Sequence, residues 1–138
     1  MVKTYFYTIS PVYLDRKETP FDSDIHALQN QVGGLFEHFI LSENLNQYHI
    51  DSWINDEGKL DNLEPLAILC DVNDGSIIDY IAGPICFTKY DDDGTTYGLT
   101  KDDIKRIDKW LDKLPKVPFA WGDTFYPVFR IDGFIKPW

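Results

Sequence analysis

The sequence predicts an α+β domain: a mostly antiparallel sheet with one short early helix, one late amphipathic helix and an aromatic C-terminal arm. Three observations carry that expectation. Short runs rich in β-branched and aromatic residues recur between turn residues up to Tyr90. One clear apolar stripe at helical spacing follows Thr100. At 138 residues and 43% hydrophobic composition, the chain is long enough to bury a core without disulfide or metal staples.

Each element has a local reason. Val2 to Ile9 sets Val2, Thr4, Phe6 and Thr8 against Lys3, Tyr5, Tyr7 and Ile9, the two-residue period of a strand. Pro11 and Pro20 bracket a polar loop. Asp22 or Ser23 then caps a short helix with Ile25, Leu28 and Val32 on one face, and Gly33-Gly34 ends it. Leu35–Leu41 and Tyr48–Ile54 read as strands joined by a polar link from Ser42 to Gln47. A turn at Asn55-Asp56-Glu57-Gly58 precedes a short buried strand, Leu66–Cys70. Ile77–Ile81 and Ile85–Tyr90 flank Gly83-Pro84, where proline removes a ladder donor and a bend is expected. Asp91-Asp92-Asp93-Gly94 is a solvated turn.

The late helix starts at Thr100, whose hydroxyl accepts from the Asp103 N–H, with Asp102 and Asp103 at the positive helix end. Ile104, Ile107, Leu111 and Leu114 form its stripe, Trp110 stands beside it, and Pro115 stops it. The mixed charges on its other face (Asp102, Asp103, Asp108 and Asp112 with Lys101, Lys105, Arg106, Lys109 and Lys113) predict a solvated surface with internal pairs. Residues 1–114 are read as a single α+β domain. Residues 115–138, with Phe119, Trp121, Phe125, Tyr126, Phe129, Phe134 and Trp138, are read as an irregular arm packed on that domain. Rings at this density cover a sheet face, or else anchor a partner.

Charge is distributed unevenly. From Asp51 to Asp93 there are 11 Asp/Glu against 2 Lys/Arg, so this stretch holds nearly all of the net −10. That balance repels nucleic acid and anionic membrane, and attracts surfaces built to hold phosphates. No apolar run approaches the ~20 residues of a spanning helix, and the N-terminus turns polar too early for a signal peptide. Cys70 and Cys86, each inside an apolar run, are expected as two buried thiols in a reducing cytoplasm.

Catalytic and metal patterns fail in turn. Asp71-Val72-Asn73-Asp74-Gly75 starts like a calcium loop, but glycine comes one position early and the twelfth position is Ala82, which has no carboxylate. His38 and His49 on adjacent strands can face one another, with Asp51 nearby, but a lone imidazole pair is a poor zinc site. No Gly-x-Ser-x-Gly elbow is present, no histidine neighbours either cysteine in sequence, and no glycine-rich loop sits between a strand and a helix. The expectation is a protein without enzymatic activity, metal or cofactor.

Gly33-Gly34-Leu35-Phe36-Glu37, Asn55-Asp56-Glu57-Gly58-Lys59-Leu60, Leu63-Glu64-Pro65, Asp79-Tyr80-Ile81-Ala82-Gly83-Pro84 and Leu99-Thr100 follow one another in an order that resembles the uncharacterised family 3846 of the domain-of-unknown-function series, over roughly residues 22–110. The resemblance implies a small protein of phages, plasmids or other mobile elements of bacteria. Its markers are turn residues, which specify shape. Leu66 and Ala67 stand where the family usually has a second proline and an asparagine.

Together these features lead to one expectation and two alternatives. The expectation is an accessory protein of a mobile element that inhibits a host defence protein by covering its basic, nucleic-acid-binding surface. Asp56, Glu57, Asp71, Asp74, Asp91, Asp92 and Asp93 would make the contact. One alternative is a small-ligand or nucleotide sponge using Trp53, Tyr80, Tyr97 or Trp121 with Arg106 or Arg130. The other is a soluble acidic domain that binds protein by non-electrostatic contacts.

Overall fold

The structure, a computed structural model, describes residues 3–135. The expected strand start at Val2 and the aromatic Trp138 lie outside the described residues. In chain order the elements are β1 (Tyr5–Ile9), β2 (Arg16–Pro20), α1 (Ile25–Val32), β3 (Phe36–Phe39), α2 (Glu43–Asn46), β4 (Ile50–Asn55), β5 (Pro65–Asp71), β6 (Ile77–Ala82), β7 (Ile85–Tyr90), β8 (Thr96–Tyr97), α3 (Lys101–Lys113), β9 (Lys116–Trp121) and β10 (Thr124–Phe134). They build an α+β fold of two sheets. Sheet A runs β2-β1-β7-β4-β3, with β8 pairing the far end of β7, and sheet B runs β6-β5-β10-β9. All pairings are antiparallel except β5 with β10.

The main core lies between the sheets and α3. Tyr7, Ile9, Ile50, Ile54, Ile85 and Phe87 of sheet A meet Ala67, Leu69, Ile81, Phe129 and Ile131 of sheet B, with Ile104, Ile107 and Leu111 of α3. The alternation of β1 and β7 sends the other set outward: Phe6 and Cys86, with Phe36 and Trp53, pack under Leu28 and Val32 of α1. Asp24 caps α1 by accepting from the His26 N–H at 2.9 Å, and Gly33 closes it at φ 83°, a left-handed geometry that only glycine takes cheaply. Ile25, expected on the inward face, is exposed because it occupies the first, solvent-side turn.

Three segments differ from expectation. Residues 16–20, read as loop, form the polar edge strand β2, held by the β1 register from Tyr5↔Pro20 to Ile9↔Arg16. The polar link between β3 and β4 contains the one-turn helix α2, capped by Ser42, which buries Leu45. The aromatic arm is not irregular: β9 and β10 are two of the four strands of sheet B, and β10 is central. Its prolines are compatible with a strand because Pro118 and Pro127 oppose each other across the ladder. Their nitrogens can then point away from the pair, Pro118 toward the free edge and Pro127 toward the part of β10 that β5 does not reach. On the outer face of sheet B, Phe119 and Tyr80 meet at 5.6 Å, and with Tyr126 and Val117 they pack against Ile68, Cys70 and Val128. Among the arm's described rings Phe129 is buried, Phe119, Trp121, Tyr126 and Phe134 are half-buried, and Phe125 is exposed.

The charges of α3 also reach off the helix. Thr100 and Asp103 form a reciprocal capping box, and the fully buried Asp103 carboxylate accepts from Lys89 of β7 at 2.9 Å. Arg16 of β2 spans Asp108 and Asp112, both at 2.9 Å, and the Tyr7 hydroxyl donates to Asp108. Burial first, and then the Asp108 carboxylate, push the Tyr7 phenol well above its ordinary range. The Arg106–Asp103 pair, at 3.3 Å, is internal to the helix as expected. The helix is therefore pinned to sheet A by ion pairs as well as by its apolar stripe.

Candidate functional site: an acidic cleft between the sheets

The turn after β4 is built around Asn55. Its side chain is buried, donates to the Val32 carbonyl at 3.1 Å and accepts from the Glu57 N–H at 2.8 Å. The end of α1 and the 55–58 turn are thus tied through one amide. Gly58 then lies against β6 so closely that a Cβ there would stand 2.4 Å from the Ala82 carbonyl oxygen. Gly33, Gly34 and Gly83, scattered in sequence, also lie against the Asn55 side chain at this corner.

Beside that corner a cleft of about 350 Å³ opens between the two sheets. Its apolar lining comes from Phe39 and Ile54 of sheet A and Leu69 and Ile81 of sheet B. Its charged residues are Glu37 on β3, Asp56, Glu57 and Lys59 on the turn, and Asp79 on β6. The cleft lining therefore carries four carboxylates and one ammonium among the described residues. Lys59 pairs with Asp79 and lies 4.7 Å from the centre of the Tyr80 ring.

The seven acids expected to act together are dispersed. Asp56 and Glu57 line the cleft, at the end of β4 where Ile54 pairs with Ile85 at the start of β7. Asp91, Asp92 and Asp93 follow the opposite end of β7, about 20 Å away along a six-residue strand. Asp71 ends β5 and Asp74 lies in the turn that follows, at the opposite end of β6 from Ala82, which is the end against Gly58. Asp71 is buried and accepts from the N–H groups of Asn73 and Asp74 at 2.9 and 3.1 Å, so it shapes its turn. Asp91 does likewise for Asp93 and Thr95, and the Asp74 carboxylate accepts from Ser76. Glu37 and Asp79, which are not among the seven expected acids, complete the cleft. Each is one exposed residue on a short strand, and only the packing of sheet on sheet brings them together.

The other candidates separate as well. His38 bonds Asp51 at 2.7 Å, while His49 stacks on Tyr90 at 4.8 Å, so the two imidazoles do not form a facing pair. Among the described residues no three of His, Cys, Asp and Glu are grouped to hold a metal ion. Both cysteines are free and buried, and burial pushes the Cys86 thiol up to about 12 and raises that of Cys70. Trp53 packs under α1 with its indole N–H on Thr88, Trp121 packs on Tyr126, and Arg130 is bonded to Asp132 and the Gly75 carbonyl. Trp53, Trp121, Arg106 and Arg130 of the sponge alternative therefore serve separate local contacts. No helix among the described residues is long and apolar enough to cross a membrane.

These features define a two-sheet α+β domain with an open acidic cleft between its sheets. The model of a domain of unknown function, DUF3846, matches residues 6–112, and the chain belongs to that family. No curated protein and no solved structure matches the chain. The match takes in Asn55, Gly58 and the whole cleft, and it ends before β9 and β10, which complete sheet B. Leu66 and Ala67, in the positions where the resemblance led to proline and asparagine, are buried in β5 and serve the core.

Proposed function

We propose that this chain is a binding protein without catalytic activity, which holds a protein partner by a basic, nucleic-acid-handling surface through the cleft at the 55–58 turn. In a mobile-element setting that partner is a host defence protein, and occupying the surface inhibits it. The observation carrying the reading is the convergence of Glu37, Asp56, Glu57 and Asp79 on one open cleft, with Lys59 as its one base among the described residues. Carboxylates so placed steer a cationic surface into register and weaken with salt.

The test is capture from host lysate with stepwise salt elution, comparing two charge reversals of equal size. Asp56→Lys with Glu57→Lys is expected to abolish salt-sensitive capture of a nucleic-acid-handling protein, whereas Asp92→Lys with Asp93→Lys retains it. Equal capture by the two variants would remove the cleft from the mechanism.

A further inference from the structure

One cation position in the cleft is already filled, by the chain itself. At the edge of sheet B formed by β6, the Lys59 ammonium pairs with Asp79, on the cleft side, and stands 4.7 Å from the ring centre of Tyr80, which packs on the outer face. A carboxylate beside an aromatic face is what holds an ammonium or guanidinium group. Yet the two side chains are 45% and 53% exposed, where an ion pair contributes little and exchanges readily. The apolar wall of Phe39, Ile54, Leu69 and Ile81 suits the aliphatic stem of a long basic side chain. A volume of about 350 Å³ is at the small end for ligand pockets, room for one side chain and its surroundings.

We propose that the cleft is a socket for a single arginine side chain of a protein partner, and that Lys59 is an internal stand-in that gives up Asp79 and Tyr80 when the arginine enters. Guanidinium is the better fit because its plane stacks on a tyrosine while its fork makes two parallel bonds to one carboxylate. Glu37, Asp56 and Glu57 offset the added positive charge. The inference rests on the binding reading above for the origin of the arginine, and on the cleft alone for the socket.

The test needs no partner. A blocked Gly-Gly-Arg-Gly-Gly peptide is titrated into the full chain while the methyl signals of Ile54, Leu69 and Ile81 and the Tyr80 ring are followed by NMR. The same peptide with citrulline, an uncharged isostere, is the comparison. The expected result is saturable shifts with arginine alone, tightened about two- to fivefold in Lys59→Ala and lost in Asp79→Asn. Lys59→Ala shortens a half-exposed side chain, so its unfolding midpoint should stay close to that of the parent chain. Equal responses to the arginine and citrulline peptides, or no saturable shift in either the parent chain or Lys59→Ala, would overturn the socket. Because lysate capture and peptide titration are separate readouts, failure of one does not imply failure of the other.

Discussion

Replacing Gly58 by alanine tests how the cleft is held open. The added Cβ would lie 2.4 Å from the Ala82 carbonyl oxygen, 3.2 Å from its carbon and 3.4 Å from the Ala82 Cβ. Ordinary C···O contacts lie near ~3.3 Å, so the turn must retreat by about 0.9 Å. The obstacle is backbone of β6 and cannot rotate aside. Moving the turn also strains the Leu63 N–H bond to the Gly58 carbonyl, at 2.9 Å, and the Asn55 contacts at its start. Overpacking of this kind costs about 1–3 kcal/mol. Urea unfolding followed by tryptophan fluorescence should show a lower midpoint with an unchanged slope, and the amide signals of Ile81 and Ala82 should move. A midpoint and amide signals identical to those of the parent chain would refute the close packing of turn on strand.

Three further outcomes follow from buried polar groups. Burial pulls the Asp103 carboxyl upward, but hydrogen bonds from Thr100 and Lys89 outweigh it and hold the group below its usual range. Its contribution is therefore complete above an unfolded value of about 3.9 and lost as pH falls through the lower folded value. Asp103→Asn should cost about 2–4 kcal/mol at pH 7, and the gap to the parent chain should narrow below about pH 4. Urea curves across that range decide it, and a gap that stays flat in acid would refute the linkage. Asn55→Ala leaves the Val32 carbonyl and the Glu57 N–H without their partner. It should cost about 2–3 kcal/mol by the same assay; a loss below about 0.5 kcal/mol, the ordinary range for surface changes, would show that water replaces the amide. Asp71→Ala should lower stability by about 1–2 kcal/mol through its turn and leave salt-sensitive capture intact. Lost capture at parental stability would return Asp71 to the binding surface.

What was legible in the sequence was local. The Gly33-Gly34 stop, the Thr100 cap, the stripe from Ile104 to Leu111 and the cores of β1, β4, β5 and β7 are each specified by residues within one or two turns of themselves. β2 was not, because Arg16–Pro20 is polar and becomes a strand only by pairing with β1. β9 and β10 were masked by prolines whose harmlessness depends on which side of the ladder faces a neighbour. The division into two sheets was hidden for a similar reason: Ile77–Ala82 and Ile85–Tyr90 are adjacent in sequence, but the chain changes sheet at Gly83-Pro84. For the cleft, Asp56 and Glu57 could be read as an exposed turn. Asn55 looked like an ordinary turn residue, since its buried partner Val32 belongs to another element.

The position of β10 sets the order in which the molecule can be completed. It enters sheet B between β5 and β9, parallel to a strand made far earlier in the chain. During synthesis the β5–β6 hairpin must wait with one edge unpaired, and the buried run Pro65–Asp71 on that edge is apolar except at its last residue. A parallel partner that arrives only after β6, β7, α3 and β9 adds a slow, non-local step to folding. Chains interrupted before Thr124 would present that strand to one another, so prematurely ended products are the species from which aggregation should start.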